Sequence, residues 1–257
     1  MSQRLMASSR TWTAGLAVIG DEILSGRTQD RNIGQLARWL NVQGIRLKEV
    51  RVVPDEIEAI GDAVNHLRTS YDYAFTTGGI GPTHDDITVD AVASALGVPV
   101  MVHPDARAIL ERYYADKGGL NEGRLRMARA PEGAELIPNP VSGAPGIRIG
   151  NIFLMAGVPH ITAGMLEGLT GTLEGGRPLV SVTIGAFAPE SEVAEILRSA
   201  EKANEGIAIG SYPFFKEGRV GGNFVVRSED EALARSVADG LARDIEAAGY
   251  AVTDGGL

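Results

Sequence analysis

Residues 71–97 read YDYAFTTGGIGPTHDDITVDAVASALG, and this stretch decides the fold. Its opening, 71–77, is rich in aromatic and β-branched residues and reads as a strand. Gly78–Gly79–Ile80–Gly81–Pro82 then breaks regular structure. Residues 87–96 carry apolar side chains at helical spacing until Gly97 closes the helix. The order is strand, glycine-rich loop, helix.

The same order stands twice upstream. Residues 13–19 form an apolar strand ending at Gly20, and 32–40 place Ile33, Leu36, Ala37 and Leu40 on one helical face. Residues 45–53 alternate as a second strand, followed by a helix through Ile57, Ile60, Val64 and Leu67. Three successive β-α units predict a three-layer α/β domain with a mostly parallel sheet between helices, which gathers ligands at its strand C-termini. Two helices are expected within 103–130, a hairpin at 147–154 across Gly150–Asn151, and a helix over 160–173. Glu174–Gly175–Gly176–Arg177–Pro178 reads as the linker, with domains at 13–173 and 178–257. The second part has the order β-α-β-β-α-β, a small α+β sandwich.

Composition narrows the function. The 257 residues include no cysteine, which excludes disulfides, thiolate zinc sites, iron–sulfur clusters and Cys nucleophiles, so any metal is held by oxygen or imidazole. The first ten residues are too polar for a signal peptide and no apolar run approaches ~18 residues, so neither secretion nor membrane contact is expected and the chain reads as cytoplasmic. A net charge of −9 argues against a nucleic-acid partner. Gly218–Arg219–Val220–Gly221 has the GxxG pattern of a KH module but lies between two strands, in a region of 13 acidic and 7 basic residues.

Chemistry concentrates in three acidic loops, each just after a strand. The first is Thr76–Thr77–Gly78–Gly79–Ile80–Gly81–Pro82–Thr83–His84–Asp85–Asp86–Ile87–Thr88, where glycines let the backbone close on an anion and the following helix start adds positive charge. Asp85 and Asp86 would repel a bare phosphate, which points to a divalent cation between them; as the alternative, one of them is a helix N-cap. Gly20–Asp21–Glu22–Ile23–Leu24–Ser25–Gly26, with Asn32 at the next helix start, is the second, with a capped turn as its plain reading. Val53–Pro54–Asp55–Glu56 is the third, where Asp55 is placed to cap the helix that follows. A fourth loop, 139–146, offers Ser142, Gly143, Ala144 and Pro145; Gly157 and Pro159 form a turn before a helix. No Gly is followed by Lys, and Gly79–Ile80–Gly81 lacks the third glycine of a dinucleotide fingerprint, so Walker-type ATPase and NAD readings fall away. Of the four histidines only His84 lies in a candidate loop.

Taken in order, these motifs resemble the molybdopterin-binding (MoaB/Mog-like) family, and most of all the N-terminal portion of competence/damage-inducible (CinA) proteins. Gly210–Ser211–Tyr212–Pro213 is similar to a segment of the small KH-like domain that follows in CinA proteins. The resemblance implies a pocket for a small-molecule nucleotide or pterin phosphate and two chemistries: adenylyl transfer to a pterin with ATP and Mg²⁺, or hydrolysis of the ADP-ribose diphosphate with a divalent metal (Mg²⁺, Mn²⁺ or Co²⁺) and K⁺. A binding module without catalysis is the third alternative. By motif, Asp86 and Thr88 match the family's D-x-T, Asp55 its Pro-Asp, Gly78, Gly79 and Gly81 its glycine loop, and Asp21 and Glu22 the CinA-type GDE. Asp86, Asp85 and Asp55 are the expected catalytic residues, with Asp86, Asp85 and Asp21 as metal ligands. Gly20, Asn32, Thr77, Pro82 and Thr83 join the expected ligand contacts. His84 stands where the family often has an acidic residue, and His160 where it often has Glu. No haem is expected; a homo-oligomer is. These residues hold no counterpart of the CinA amidase domain, so no amidase activity is expected.

Overall fold

The computed structural model describes residues 10–257. The chain divides near residue 177 into two compact units.

The first unit opens with β1 (Trp12–Ile19), a one-turn helix α1 (Asp21–Leu24), α2 (Asn32–Val42), β2 (Ile45–Val53), α3 (Ile57–Ser70), β3 (Tyr73–Thr77) and α4 (Thr88–Leu96). It continues through β4 (Val100–Val102), α5 (Pro104–Tyr114), α6 (Glu122–Arg126), β5 (Arg129–Pro131), β6 (Glu135–Ile137), β7 (Gly146–Ile149), β8 (Ile152–Met155) and α7 (Pro159–Leu169). Its main sheet has the order β2-β1-β3-β8-β7-β6. The pairs among β2, β1, β3 and β8 are parallel, and β7 runs antiparallel to both its neighbours.

Strand alternation builds two cores, because successive side chains point to opposite faces. Leu16, Val18, Phe75, Phe153 and Met155 pack against Leu36 and Leu40 of α2 and Met165 and Leu169 of α7. On the other face Ala17, Ile19, Ala74 and Leu154 meet Ile60, Val64 and Leu67 of α3 and Val92 of α4. Strands apolar on both faces need helices on both, which is why the parallel part of the sheet is sandwiched.

The second unit consists of β9 (Val180–Ala186), α8 (Glu190–Ala203), β10 (Ala208–Lys216), β11 (Arg219–Ser228), α9 (Glu231–Ala247) and β12 (Val252–Asp254). Its sheet order is β10-β11-β9-β12, with every pair antiparallel. Glu217–Gly218 closes the β10–β11 hairpin, so the GxxG pattern is a turn glycine followed by the first residues of β11.

Four sequence expectations are corrected. The third strand starts at Tyr73 rather than 71, because the Asp72 carboxylate accepts from the Thr13 backbone N–H and hydroxyl and holds that corner out of the ladder. The last helix of the first unit ends at Leu169, not 173. Three-residue strands β4, β5 and β6 were not anticipated, since so short a run carries no readable period. The fourth correction concerns α4: it starts at Thr88 with Ile87 as its N-cap residue, so Asp85 and Asp86 precede the helix and neither caps it.

Candidate functional site

Register aligns the C-termini of the central strands. Ile19 of β1 stands opposite Val53 of β2, Val18 opposite Thr77 of β3, and Thr77 opposite Met155 of β8. Gly20 N donates to Val53 O at 3.2 Å and Gly78 N to Met155 O at 3.1 Å, so the loops leaving these strands start side by side.

The glycine loop forms the floor. Gly78 has φ 104°, and a Cβ there would lie 2.2 Å from Ile19 O, so only glycine fits both the backbone and the space. Thr88, fully buried at the head of α4, donates from Oγ1 to Gly78 O at 2.8 Å and from its backbone N to Gly79 O at 2.9 Å. The first N–H of α4 is therefore taken by the loop itself. Asp86 Oδ2 accepts from Thr83 N at 2.7 Å and from the Thr83 hydroxyl, closing a local turn that keeps Asp86 outside the helix. Behind this turn Arg126 Nη2 donates to Asp86 O at 3.2 Å.

Asp55 also does something other than the sequence suggests. It does not cap α3, whose N-cap residue is Glu56. Its Oδ2 accepts from the Asp21 backbone N at 3.0 Å, tying the loop after β2 to the first turn of α1. The opposite wall is shaped by Asn139, whose amide donates to Ser142 Oγ and Ala144 O, both at 2.7 Å, while its Oδ1 accepts from Val141 N. The remaining rim is pinned by α2: Asn32 Nδ2 donates to Gly157 O at 2.7 Å and Gln35 Nε2 to Pro159 O at 3.1 Å. A Cβ on Gly157 would come within 3.3 Å of Gly78 Cα, so the two glycine turns are in close approach.

These loops enclose a cleft of about 590 Å³, a size suited to a small-molecule ligand. Gly20, Glu22 and Asp55 line one side, Gly78, Gly79, Gly81, Pro82, Asp85 and Asp86 the floor, and Ser142, Ala144, Pro145, Gly157 and Pro159 the rest. Asn32 and Thr77 lie in a small recess beside it. The other expected contacts stand outside the lining: Asp21 touches Asp55 through its backbone, Thr83 and Thr88 brace the floor, and Gly143 packs against Tyr113. His84 is fully exposed, with Nδ1 3.9 Å from Asp85 Oδ1.

Sequence reasoning missed the apolar wall formed by Ile19, Ile80, Ala156, Ile161 and Met165, together with Thr28 and Val158. Ile161 and Met165 sit four apart on α7, a spacing that reads the same for a core face as for a pocket wall.

The electrostatics of the cleft are lopsided. Glu22, Asp55, Asp85 and Asp86 face it, and among the described lining residues none is basic. Burial pushes the Asp55 carboxyl up from its ordinary range, aided by the charges of Asp21, Glu22 and Asp85 and opposed by the Asp21 N–H. Asp85 is held low by the Thr83 hydroxyl and a backbone N–H, with His84 and Arg126 adding to the effect. Two neighbouring carboxyls thus have their ionisation displaced in opposite directions, the arrangement that separates acid–base from charge-holding roles.

Fold and site together define an α/β domain with an acidic, partly apolar cleft at the strand C-termini of a parallel sheet. Residues 15–175 match the family described as "Probable molybdopterin binding domain", and 178–253 match "FAD synthase, middle domain". A protein of Aeropyrum pernix is 34% identical over 93% of this chain and 90% of its own length. A CinA-like protein of Citrifermentans bemidjiense is 39% identical over 71% of this chain, which covers 46% of that protein. The crystal structure of CinA from Thermoplasma acidophilum matches 62% of this chain and 96% of its own with a TM-score of 0.58 at 31% identity. The chain belongs to the molybdopterin-binding domain family, in its CinA-like branch, and spans about half the length of the CinA-like relatives it matches. Among the described residues no helix is long and apolar enough to cross a membrane.

Proposed function

We propose that the cleft binds the phosphate-bearing part of a nucleotide or pterin, and that the chain cleaves the diphosphate of a nucleoside diphosphate sugar such as ADP-ribose. One observation carries the reading: four carboxylates and a glycine loop share a cleft whose described lining has no basic side chain. A diphosphate entering such a cleft is repelled unless a cation accompanies it.

The donor set suits a hard divalent ion. Among the described residues no three His, Asp or Glu side chains form a ready cage. Mg²⁺ in particular is usually held by one or two carboxylates together with substrate phosphates and water, so a partial set is what it requires. Asp85 and Asp86 would hold the ion, with Asp21 nearby, and Mn²⁺ or Co²⁺ as substitutes; K⁺ belongs to the same proposal. When bound, the metal neutralises charge on the phosphates and on the leaving group.

The chain's own residues supply the rest. Asp85, held low, stays ionised across the neutral range. Asp55, pushed up and lining the cleft, is the better proton acceptor and in this reading takes the proton of an attacking water. The loop 78–82 presents backbone to the phosphates, and Ile80, Ile161 and Met165 form the dry wall against which a ring lies. Adenylyl transfer to a pterin is the second reading, favoured by the description of the matching family; it differs only in the nucleophile that attacks the phosphoanhydride.

Incubation with ADP-ribose and Mg²⁺, Mn²⁺ or Co²⁺, with and without K⁺, tests the first reading against ATP plus molybdopterin. Release of AMP and ribose 5-phosphate supports hydrolysis; an adenylylated pterin supports transfer. Tight ligand binding without turnover of either overturns both and leaves a binding module.

A further inference from the structure

The sheet of the second unit is backed by helices on one side only. Ala186 of β9 and Phe224 and Val226 of β11 share a core with Val193 of α8 and Ala238 and Leu241 of α9. Because side chains alternate along a strand, the residues between them point away from both helices. Residues 255–257 cross part of that open side: Gly255 N donates to Thr183 O at 2.9 Å and Leu257 N to Asn223 Oδ1 at 2.8 Å. Along the β10–β11 ladder, Tyr212, Lys216 and Arg219 stay exposed.

Register puts Tyr212 opposite Asn223, Phe214 opposite Gly221 and Lys216 opposite Arg219, all on the open side. Two glycines let the rings lie close against the sheet: a Cβ on Gly221 would come within 2.5 Å of the Phe214 ring, and one on Gly210 within 3.0 Å of the Tyr212 ring. Phe187, just past β9, meets Phe214 edge-on at 5.6 Å and carries the Arg219 guanidinium over its ring at 3.6 Å. At the other end of β11, Arg227 donates to the Tyr212 hydroxyl. Charge divides between the two sides. Eight of the 13 acidic residues in 178–257 stand on α8 and α9, and no strand residue on the open side is acidic. The three basic residues outside the helices, Lys216, Arg219 and Arg227, all stand on it. Glu217 at the hairpin turn lies 3.8 Å from Arg219, in an exposed pair that costs little to break. The negative net charge is an average that hides this division.

We propose that this face binds single-stranded nucleic acid, with bases stacking on Tyr212 and Phe214 while Lys216, Arg219 and Arg227 meet the phosphates. A four-stranded sheet backed by two helices and carrying aromatic rings on its open side is a known way to stack splayed bases. Such stacking tolerates any sequence, because every base has a π-face. Arg219 and Arg227 stand eight residues apart on one strand, about 26 Å, which spans several successive phosphates rather than one mononucleotide. A duplex hides its base faces, and an acidic peptide offers the rings little to stack against, so rings set between cations favour a single strand over either. The inference is independent of the cleft and its ligand.

Fluorescence anisotropy of the full chain with labelled single strands of roughly 12 nucleotides, oligo-dT and oligo-U, tests this. Over about 50 to 200 mM salt, log affinity should fall against log salt with a slope near −2, since each of three cations contributes about 0.7. A duplex of the same length should bind at least about fivefold more weakly, because it offers no base to the rings. Tyr212→Leu keeps the apolar bulk and should weaken single-strand binding about fivefold or more, whereas Tyr212→Phe should bind like the parent. Lys216→Gln, at the exposed end of β10, should make the slope shallower by about 0.7. No binding at the lowest salt, equal binding of the duplex, or unchanged binding by both Tyr212→Leu and Lys216→Gln overturns the proposal. A dimer in sedimentation that Tyr212→Leu dissolves, with no strand bound, also overturns it and gives the face to a second copy of this chain. The comparison of single strand with duplex on the unmodified chain decides even if a variant fails to fold.

Discussion

Glu49, in the middle of β2, and Asp55, just past its C-terminal end, are carboxylates six residues apart that the fold treats in opposite ways. Glu49 is surrounded by donors: Tyr71 Oη at 2.7 Å, Arg51 Nε at 2.6 Å and His66 Nε2 at 3.0 Å. The tyrosine hydroxyl first, then the arginine and the histidine, lower its carboxyl to about 2. Asp55 has one backbone donor, is partly buried, and faces Asp21, Glu22 and Asp85. Along the body of the sheet Glu49 is matched to two basic neighbours; at the strand ends like charges are gathered in a cleft whose described lining has no basic side chain. Gathered like charge works against folding, so its concentration at one edge fits the cation-assisted ligand site proposed above.

The sharpest break would come from chelation. If a cation offsets the gathered charge, EDTA should abolish turnover and added Mg²⁺ or Mn²⁺ should restore it. Full activity after rigorous chelation would mean that the acidic cluster serves another purpose.

Next in size is Asp86. Because its Oδ2 holds Thr83, Asp86→Asn keeps an acceptor for that turn while removing the charge, and turnover should fall by ~10²-fold or more, about 2.7 kcal/mol of barrier. Asp86→Ala should lose the turn as well and lower stability by about 1 kcal/mol. Near-normal turnover in a folded Asp86→Asn protein would reduce Asp86 to a loop brace.

Asp55→Asn should cut activity by about 10²-fold if Asp55 takes the proton, and remove the acid limb of the pH–rate profile. Its effect on stability has the reverse sign. A carboxyl whose folded pKa is raised favours the fold only while protonated, and that contribution is lost as pH rises past its ordinary value of 3.8 through the raised one. The variant should therefore melt higher than the parent at pH 7, with the difference vanishing below about pH 3.8. A lower Tm at neutral pH would contradict the burial of unmatched charge.

Glu49→Gln is the smallest change expected and the control for the contrast. Its carboxyl stabilises the fold above the unfolded value of 4.5, and that contribution disappears as pH falls through about 2. The variant should melt slightly lower at pH 7, match the parent near pH 2, and turn over substrate normally. A loss of activity would extend the functional region along β2.

The β-α repeats were legible because period-2 and period-3.6 apolar patterns record which faces are buried. Thus β2 falls at its expected limits, and the hairpin across Gly150–Asn151 forms as its turn residues require. Glycines such as Gly78 were legible as loop formers, since backbone geometry that only glycine tolerates is written in residue type. What each acidic residue does was not legible. Asp86 precedes its helix instead of capping it, and Asp55 serves α1 instead of α3, because a carboxylate's partner is whichever donor the folded chain brings near.

The sequence by itself therefore determined the layers, the strand ends on which ligands gather and the residue types available there, all of which follow from local periodicity and backbone permission. Only the tertiary structure decided that Glu22, Asp55, Asp85 and Asp86 share one cleft with an apolar wall, and that Lys216, Arg219 and Arg227 share one sheet face with Tyr212 and Phe214. Those relations join residues as far apart as Glu22 and Met165, and they depend on strand order and register, which no local stretch encodes.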